Sequence, residues 1–370
     1  MNSPLLLSAA LAVVATSGGL QAGPDTGFRT GNPGFRSISQ LAFGPDGVLF
    51  AADTKSAAVV AIATDDTRPP ADAQPIRIEG LQKQLSGLLG TAESDILVED
   101  MAVNPASHRA YLAVSRGRGP DAMPSLVRTG GGDKLELVSL DSVKFSKAEI
   151  PHPPADKVVG EGRRQSNPRL ESITDLAFLR DQVLVAGLAN EEFASTLHAI
   201  PFPFRPAADG TGVEIYHGAH GRFETRAPIR TFVPITVGNE PQIIAAYTCT
   251  PLVQLPVAGL KPGAQVRGRT VAELGNRNRP LDIISYEKDG KTWLLLANSS
   301  RGVMKVSTEG LPQAEAITQP VPDGGTKGLS FENVAGWNGV TQLDRLDKTT
   351  ALVLRKPEGG LDRLESLALP

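Results

Sequence analysis

The chain of 370 residues has one cysteine, Cys249, which excludes an internal disulfide, a multi-cysteine zinc site and a C-x-x-C-H haem attachment. Aromatics are scarce, at 5% of residues. There is no excess of one charge either: 37 Lys and Arg stand against 40 Asp and Glu, for a net charge of −3. A partner that must have its phosphates neutralised needs a basic cluster, and none is present, so nucleic acid is not an expected partner. No stretch reaches the ~20 apolar residues that span a bilayer, so the protein is not expected to be integral to a membrane. G-x-S-x-G, Walker and dinucleotide-binding glycine patterns are also missing. Ser-His-Asp assemblies stay open, because their members need not be adjacent in sequence.

The one sustained apolar run lies near the start, at Leu5–Ala15. It is too short to span and has the length of a signal-peptide core. Small residues follow it, from Thr16 to Gly19, and Ala22 suits a cleavage site, although no Lys or Arg precedes the run. Residues 1–22 are therefore read as a secretory signal, and no Cys lies nearby for a lipid anchor. Residues 23–370 are read as a single domain, periplasmic or secreted.

Turn formers and apolar residues are what the chain has in quantity. Gly (38) and Pro (29) together make up about 18% of it, above the usual ~12%, and 41% is hydrophobic. Many turns and a large core favour β structure. Six segments then align: Ile38–Phe43 (ISQLAF), Val98–Val103 (VEDMAV), Ile173–Phe178 (ITDLAF), Ile229–Pro234 (IRTFVP), Pro280–Ser285 (PLDIIS) and Val340–Arg345 (VTQLDR). Their third residues, Gln40, Asp100, Asp175, Thr231, Asp282 and Gln342, are spaced by 60, 75, 56, 51 and 60 residues. Each segment is followed by a turn and an apolar run, such as Ala110–Ser115, Gln182–Gly187 and Thr292–Asn298. Near-continuous apolar runs suit strands buried on both faces. Pro45–Gly47 and Lys288–Gly290 carry hairpin-turn chemistry.

Repeats of this length with several short strands mark β-propeller blades. The fold class is all-β, a β-propeller of six blades, with seven as the rival count because the interval from Asp100 to Asp175 is long. Its excess is read as an insertion over residues 116–132 and 151–167. Residues 24–36 are expected to close the ring against the C-terminal blade, since closure removes unpaired edges.

Leu41–Asp53 (LAFGPDGVLFAAD), Asp282–Asn298 and Val303–Val306 give the chain a resemblance to the NHL and senescence-marker-protein/gluconolactonase group of six-bladed propellers. The likeness covers most of the chain as rhythm and about thirty residues as motif. It implies an architecture more than an activity. In that group, oxygen ligands from several blades hold calcium or zinc. The resemblance makes Asp100, Asp175 and Asp282, with Asn298 or Asp53, candidate metal ligands. Its ligands often sit one position earlier, where this chain has Ser39, Glu99, Thr174, Leu281 and Thr341. The alternative is that these carboxylates accept backbone N–H bonds at strand starts.

A second constellation is Tyr216–Arg226 (YHGAHGRFETR). His217 and His220 lie three apart in a glycine-punctuated loop. They could share a transition metal, with Glu224 completing the set, or serve as catalytic groups with Glu224. Cys249 would convert the pair into a His₂Cys set of the kind found in copper or zinc sites. The alternatives are a hydrogen-bonding loop and a buried thiol. Arg222 and Arg226 suit an anionic ligand. Asn190, Glu191, Asn278 and Asn298 are further ligand-binding candidates, because propeller topology gathers them at the channel mouth.

Three functions follow. The first is an exported propeller that binds a small molecule, glycan or protein at the channel mouth. The second is a metal-dependent hydrolase of lactonase or ester type. The third is a redox or copper-associated propeller. The cofactors considered are calcium or zinc, then copper. The exported protein is expected to begin at Gly23; N-terminal sequencing that finds Met1 retained would overturn the signal reading.

Overall fold

The computed structural model describes residues 27–69, 75–162, 165–249, 251–322 and 324–370; the signal segment, residues 1–22, lies outside them. The apolar runs form strands with four to six buried residues each: Val48–Asp53, Ala110–Arg116, Gln182–Leu188, Glu240–Ala246, Lys291–Asn298 and Thr350–Arg355. Each is the second strand of its own sheet, paired antiparallel with the preceding aligned segment. The inner strands are Leu41–Phe43, Ile96–Val103, Asp175–Leu179, Thr231–Val237, Pro280–Lys288 and Val340–Arg345. Tight turns join the pairs. Asp289 and Gly290 have φ of 54° and 71°, the two positive values a type I′ hairpin turn requires. The chain is a six-bladed β-propeller. The segment read as an insertion after residue 116 contains a third strand, Met123–Thr129, so no seventh blade is needed.

Six apolar clusters identify which blades touch. With blades numbered by the chain order of their inner strands, Phe50 packs with Val185 (blades 1 and 3) and Leu49 with Tyr111 (blades 1 and 2). Leu112 packs with Leu352 (blades 2 and 6), and Leu295 with Val353 (blades 5 and 6). Ile244 packs with Leu296 (blades 4 and 5), and Leu184 with Ile243 (blades 3 and 4). The ring therefore runs 1-2-6-5-4-3, with blade 2 between blades 1 and 6. Chain order and ring order differ because the segment after blade 1 first crosses to blade 6. There Arg77–Glu79 adds the outermost strand, against Arg363–Ala368. Helix α1, Leu81–Leu89, then leads into blade 2, burying Leu81, Leu85 and Leu89 on one face. After blade 2 the chain returns to blade 1 as Val143–Glu149, paired with Ala58–Ala63.

This corrects the expected closure. Residues 29–31 pair with the returning strand Val143–Glu149 in blade 1, not with the C-terminal blade, which is closed by residues 77–79 instead. Either arrangement covers an exposed strand edge.

At the axis, buried carboxylates tie neighbouring blades together. Asp100 Oδ2 accepts Leu41 N–H of blade 1, and Asp175 Oδ2 accepts Phe232 N–H of blade 4, both at 2.7 Å. Asp282 Oδ2 accepts Leu343 N–H of blade 6, and Asp344 Oδ2 accepts Val103 N–H of blade 2, again at 2.7 Å. Each link runs in the same sense around the ring. The four line a central cavity of ≈ 370 Å³. Burial raises Asp175 to about 7 and Asp344 to about 6, against the hydrogen bonds that favour the charged form. Burial also pushes Asp100 and Asp282 well above the ordinary carboxylate range, and their neighbours' charges add to it.

A carboxyl whose folded pKa is raised binds its proton more tightly in the folded state. Its contribution is full below the unfolded value near ~4 and is lost as pH rises through the folded value. The melting temperature is therefore expected to fall from about pH 5 to about pH 8, and Asp175→Asn to flatten that slope. Thermal melts across this range check it; an identical slope in the variant would contradict the assignment.

Candidate functional site

Strands Thr211–His217 and Arg222–Glu224 form a hairpin at the outer edge of blade 3. Only Thr211 and Gly212 pair with the third strand of that blade, so the hairpin runs past the blade's upper end, the face on which the inner strands begin. Gln265–Arg267 flanks it in parallel. The turn between the two strands closes tightly: His217 O accepts the N–H groups of His220 (3.1 Å) and Gly221 (2.8 Å). Gly221 takes φ +66°, which favours glycine. The turn is fixed from outside as well. Gly218 N donates to Glu273 Oε1 at 2.6 Å, and Gly218 O accepts Val321 N–H at 2.9 Å. Tyr216, Ile317 and Val321 form a small apolar cluster beside it.

This turn places the centroids of the two imidazole rings 3.8 Å apart. Glu224 bridges them, accepting from His217 Nδ1 at 2.9 Å and His220 Nδ1 at 2.8 Å, with Arg222 Nε at 3.2 Å. With both Nδ1 atoms bound to a carboxylate, the lone pair of each ring is left on Nε2. His217 is only 2% exposed, and its Nε2 has no hydrogen-bond partner among the described residues. A buried polar atom in that state carries a desolvation cost of ~1–3 kcal/mol. Cys249 stands beside the pair. Ligand atoms of His217, His220 and Cys249 all lie within 4.8 Å of one another. Bond lengths of about 2.0–2.3 Å at tetrahedral angles would require separations of about 3.3–3.8 Å.

Cys249 follows the second strand of blade 4 and takes φ +64°. Its N–H donates to Asn278 O at 2.7 Å. Asn278 is buried and fixed in turn: its Nδ2 donates to Asn298 Oδ1 at 2.7 Å, and its Oδ1 accepts Ser300 N–H at 3.0 Å. Asn298 donates to Leu296 O and Gly302 O. These two asparagines hold the chain beneath Cys249.

The electrostatics suit metal ligation. Burial lowers the His217 pKa, the Glu224 hydrogen bond opposes this, and the neighbouring His220 lowers it further; the net shift is downward and favours the neutral ring. Burial alone would raise Glu224, but the bonds from His217, His220 and Arg222 outweigh it and hold the carboxyl below its ordinary value. Glu273 behind the turn is raised to about 7, chiefly by burial.

The structure thus brings together His217, His220, Glu224 and Arg222 with Cys249, and sets Asn278 and Asn298 directly underneath. Asp100, Asp175 and Asp282 lie apart from this group, around the axial cavity. Asn190 and Glu191 follow the second strand of blade 3, where Asn190 N donates to His152 O at 2.8 Å. Arg226 is exposed. Asp53, at the end of the second strand of blade 1, accepts the N–H groups of Arg36 and Ser37, both at 3.0 Å, and so holds the loop that leads to the inner strand. Sequence reasoning missed Glu273. Its signal was a lone carboxylate in the apolar run Thr270–Leu274 (TVAEL).

No family profile matches the chain, and no curated protein matches it. Solved structures do match it. A chain of the mitotic checkpoint complex is 11% identical with a TM-score of 0.38, covering 100% of each chain. The PQQ-bound aldose sugar dehydrogenase of Streptomyces coelicolor is 13% identical with a TM-score of 0.33, covering 92% of this chain and 96% of that one. An oxidoreductase (glucose dehydrogenase) of Thermus thermophilus is 14% identical with a TM-score of 0.34, covering 92% of this chain and 100% of that one. Likeness at this level carries no activity to the present chain.

An added Cβ at Gly218 would lie 2.7 Å from Glu273 Oε1. Gly218→Ala is expected to destabilise the protein by ~1–3 kcal/mol, since it displaces a buried hydrogen-bonded carboxylate. Gly131→Ala, with open space around the new methyl, is the control. Equal melting temperatures for the two variants would show that the Glu273 contact does not hold the turn.

Proposed function

We propose that the protein is an exported, zinc-dependent hydrolase of lactone or ester type, with the metal held by His217, His220 and Cys249 above the seam between blades 3 and 4. The observation that carries this reading is the buried, unpartnered Nε2 of His217, close to a second imidazole and a thiol. Glu224 supports it as the outer carboxylate that fixes ring orientation and tautomer, the usual companion of a metal-ligating histidine. Two nitrogens and a sulfur disfavour calcium, which takes oxygen ligands, and suit zinc or copper. The side chain of His220 is 45% exposed, so a fourth position would open to solvent. Three protein ligands with an open position is the catalytic pattern of zinc, which lowers the pKa of a bound water.

Hydrolysis needs no co-reactant besides water. The acyl C–O bond breaks, the water oxygen bonds the carbonyl carbon, and a water proton passes to the departing alkoxide. The substrate class follows the resemblance to the gluconolactonase group, but the metal is assigned to the histidine turn. In this reading the axial carboxylates stitch blades together, since their oxygens accept backbone N–H bonds and burial favours their neutral forms. Export follows from the apolar segment of residues 1–22; among the described residues, no helix is long and apolar enough to cross a membrane.

Elemental analysis of untagged protein, purified without chelator, is expected to find about one zinc per chain. His217→Ala and Cys249→Ser should lose it, while Asp282→Asn keeps it. Copper in its place, or no metal after incubation with zinc, would overturn the hydrolase reading; the second result would leave a propeller that binds its ligand without metal.

A further inference from the structure

Two turns meet on the upper face of blade 5. Residues 275–278 lead towards its inner strand, and residues 299–301 follow its second strand. Asn278 joins them, because its Oδ1 accepts Ser300 N–H at 3.0 Å. The same residue is fixed below by Asn298 Oδ1, at 2.7 Å from its Nδ2, and its carbonyl accepts Cys249 N–H at 2.7 Å. Beside the joined turns lies a cavity of ≈ 690 Å³, lined by Asn276, Arg277, Ser300 and Arg301. That volume is in the range of small-molecule sites. The cavity shares no lining residue with the axial cavity and includes none of His217, His220 and Cys249.

The lining is chemically one-sided. It presents two guanidinium groups, a hydroxyl and a side-chain amide, and no carboxylate among the described residues. The Arg301 guanidinium is held in place. Its Nη2 donates to Asn276 O at 3.1 Å. Its flat group also rests on the backbone of Gly275, where an added Cβ would lie 2.6 Å from Cζ, 2.7 Å from Nη2 and 3.0 Å from Nη1. A side chain at 275 would displace it, so the glycine is what lets the guanidinium lie there. Arg277 reaches the same cavity from the other turn, with φ +58°, a conformation that residues other than glycine seldom adopt.

Two like charges on one small cavity repel each other, and an anion between them turns that repulsion into attraction. A carboxylate or a phosphate matches the guanidinium fork and takes charge-assisted hydrogen bonds from it, and the Ser300 hydroxyl and Asn276 amide add neutral donors. We infer that Arg277 and Arg301 form an oxyanion-binding site, which takes a ligand carrying a carboxylate or a phosphate group. The inference goes beyond the zinc reading and does not rest on it. The two sites meet at Asn278, which joins the turns of the anion cavity and fixes the backbone of Cys249.

The test is calorimetric titration of the whole protein with malonate and with inorganic phosphate, in zinc-loaded and in chelator-treated samples. At least one anion is expected to bind both samples, with affinity falling as salt rises. Arg277→Gln changes an exposed side chain that makes no hydrogen bond among the described residues, so the fold should be untouched while anion affinity falls about tenfold. Arg301→Lys keeps the charge but loses the fork, and should also weaken binding. Lys348→Gln is the control. It removes one positive charge from the turn between the first two strands of blade 6, at the opposite end of the propeller, and should leave affinity unchanged. Tighter binding of malonate would assign a carboxylate ligand, and tighter binding of phosphate a phosphorylated one. No binding of either anion, unchanged affinity in Arg277→Gln or Arg301→Lys, or an equal loss in Lys348→Gln would overturn the inference. Arginine-dependent binding in a protein that takes up no zinc would uphold the anion site and overturn the zinc reading alone.

Discussion

Closure of the ring by strands borrowed across the sequence is the constraint on which everything else depends. Blade 6 is completed by residues 77–79 and blade 1 by residues 143–149, each from a segment that belongs to neither blade's own hairpins. A blade alone would expose an apolar face on each side and a strand edge outside. Packed as a ring, the faces bury one another in six clusters, and the borrowed strands cover two of the edges. The double crossing also ties residues from the first half of the chain to its last strand.

The axial carboxylates answer a problem that closure creates. Short inner strands crowd together at the centre, where their N–H groups face a narrow cavity. Asp100, Asp175, Asp282 and Asp344 accept those donors across the seams. They sit where burial penalises charge, so the ring holds its protons at pH values where free aspartates do not. The histidine turn uses similar groups differently. There a single carboxylate, Glu224, serves two imidazoles near the surface, stays ionised, and leaves two nitrogen lone pairs pointing away from it. Acidic residues therefore bind blades together in the channel and orient rings at the rim, and the local environment separates the two roles.

The site is built at a seam, not within a blade. His217 and His220 come from an outer hairpin of blade 3, Cys249 from the end of a second strand of blade 4, and the Asn278 carbonyl that fixes Cys249 from the approach to blade 5. Three consecutive blades therefore converge on one small region of the upper face. Their rigidity comes from the packed clusters beneath, and loops and turns supply the chemistry.

The sequence by itself determined the blade: a short strand, a tight turn, an apolar strand buried on both faces, repeated six times. Near-continuous apolar runs and glycine turns are local signals, so the second strands and the Asp289–Gly290 turn were legible in advance. His217, His220, Glu224 and Cys249 were visible as residue types capable of ligation. Only the tertiary structure decided which blades are neighbours, because strand rhythm carries no information about a chain that leaves blade 1 for blade 6 and later returns. It also decided that Glu224 bridges the two rings, that Cys249 reaches them from a neighbouring blade, and that Glu273 braces the turn from the far side of the same seam. Each of these is a contact set by the twist and packing of whole sheets, which no local pattern encodes.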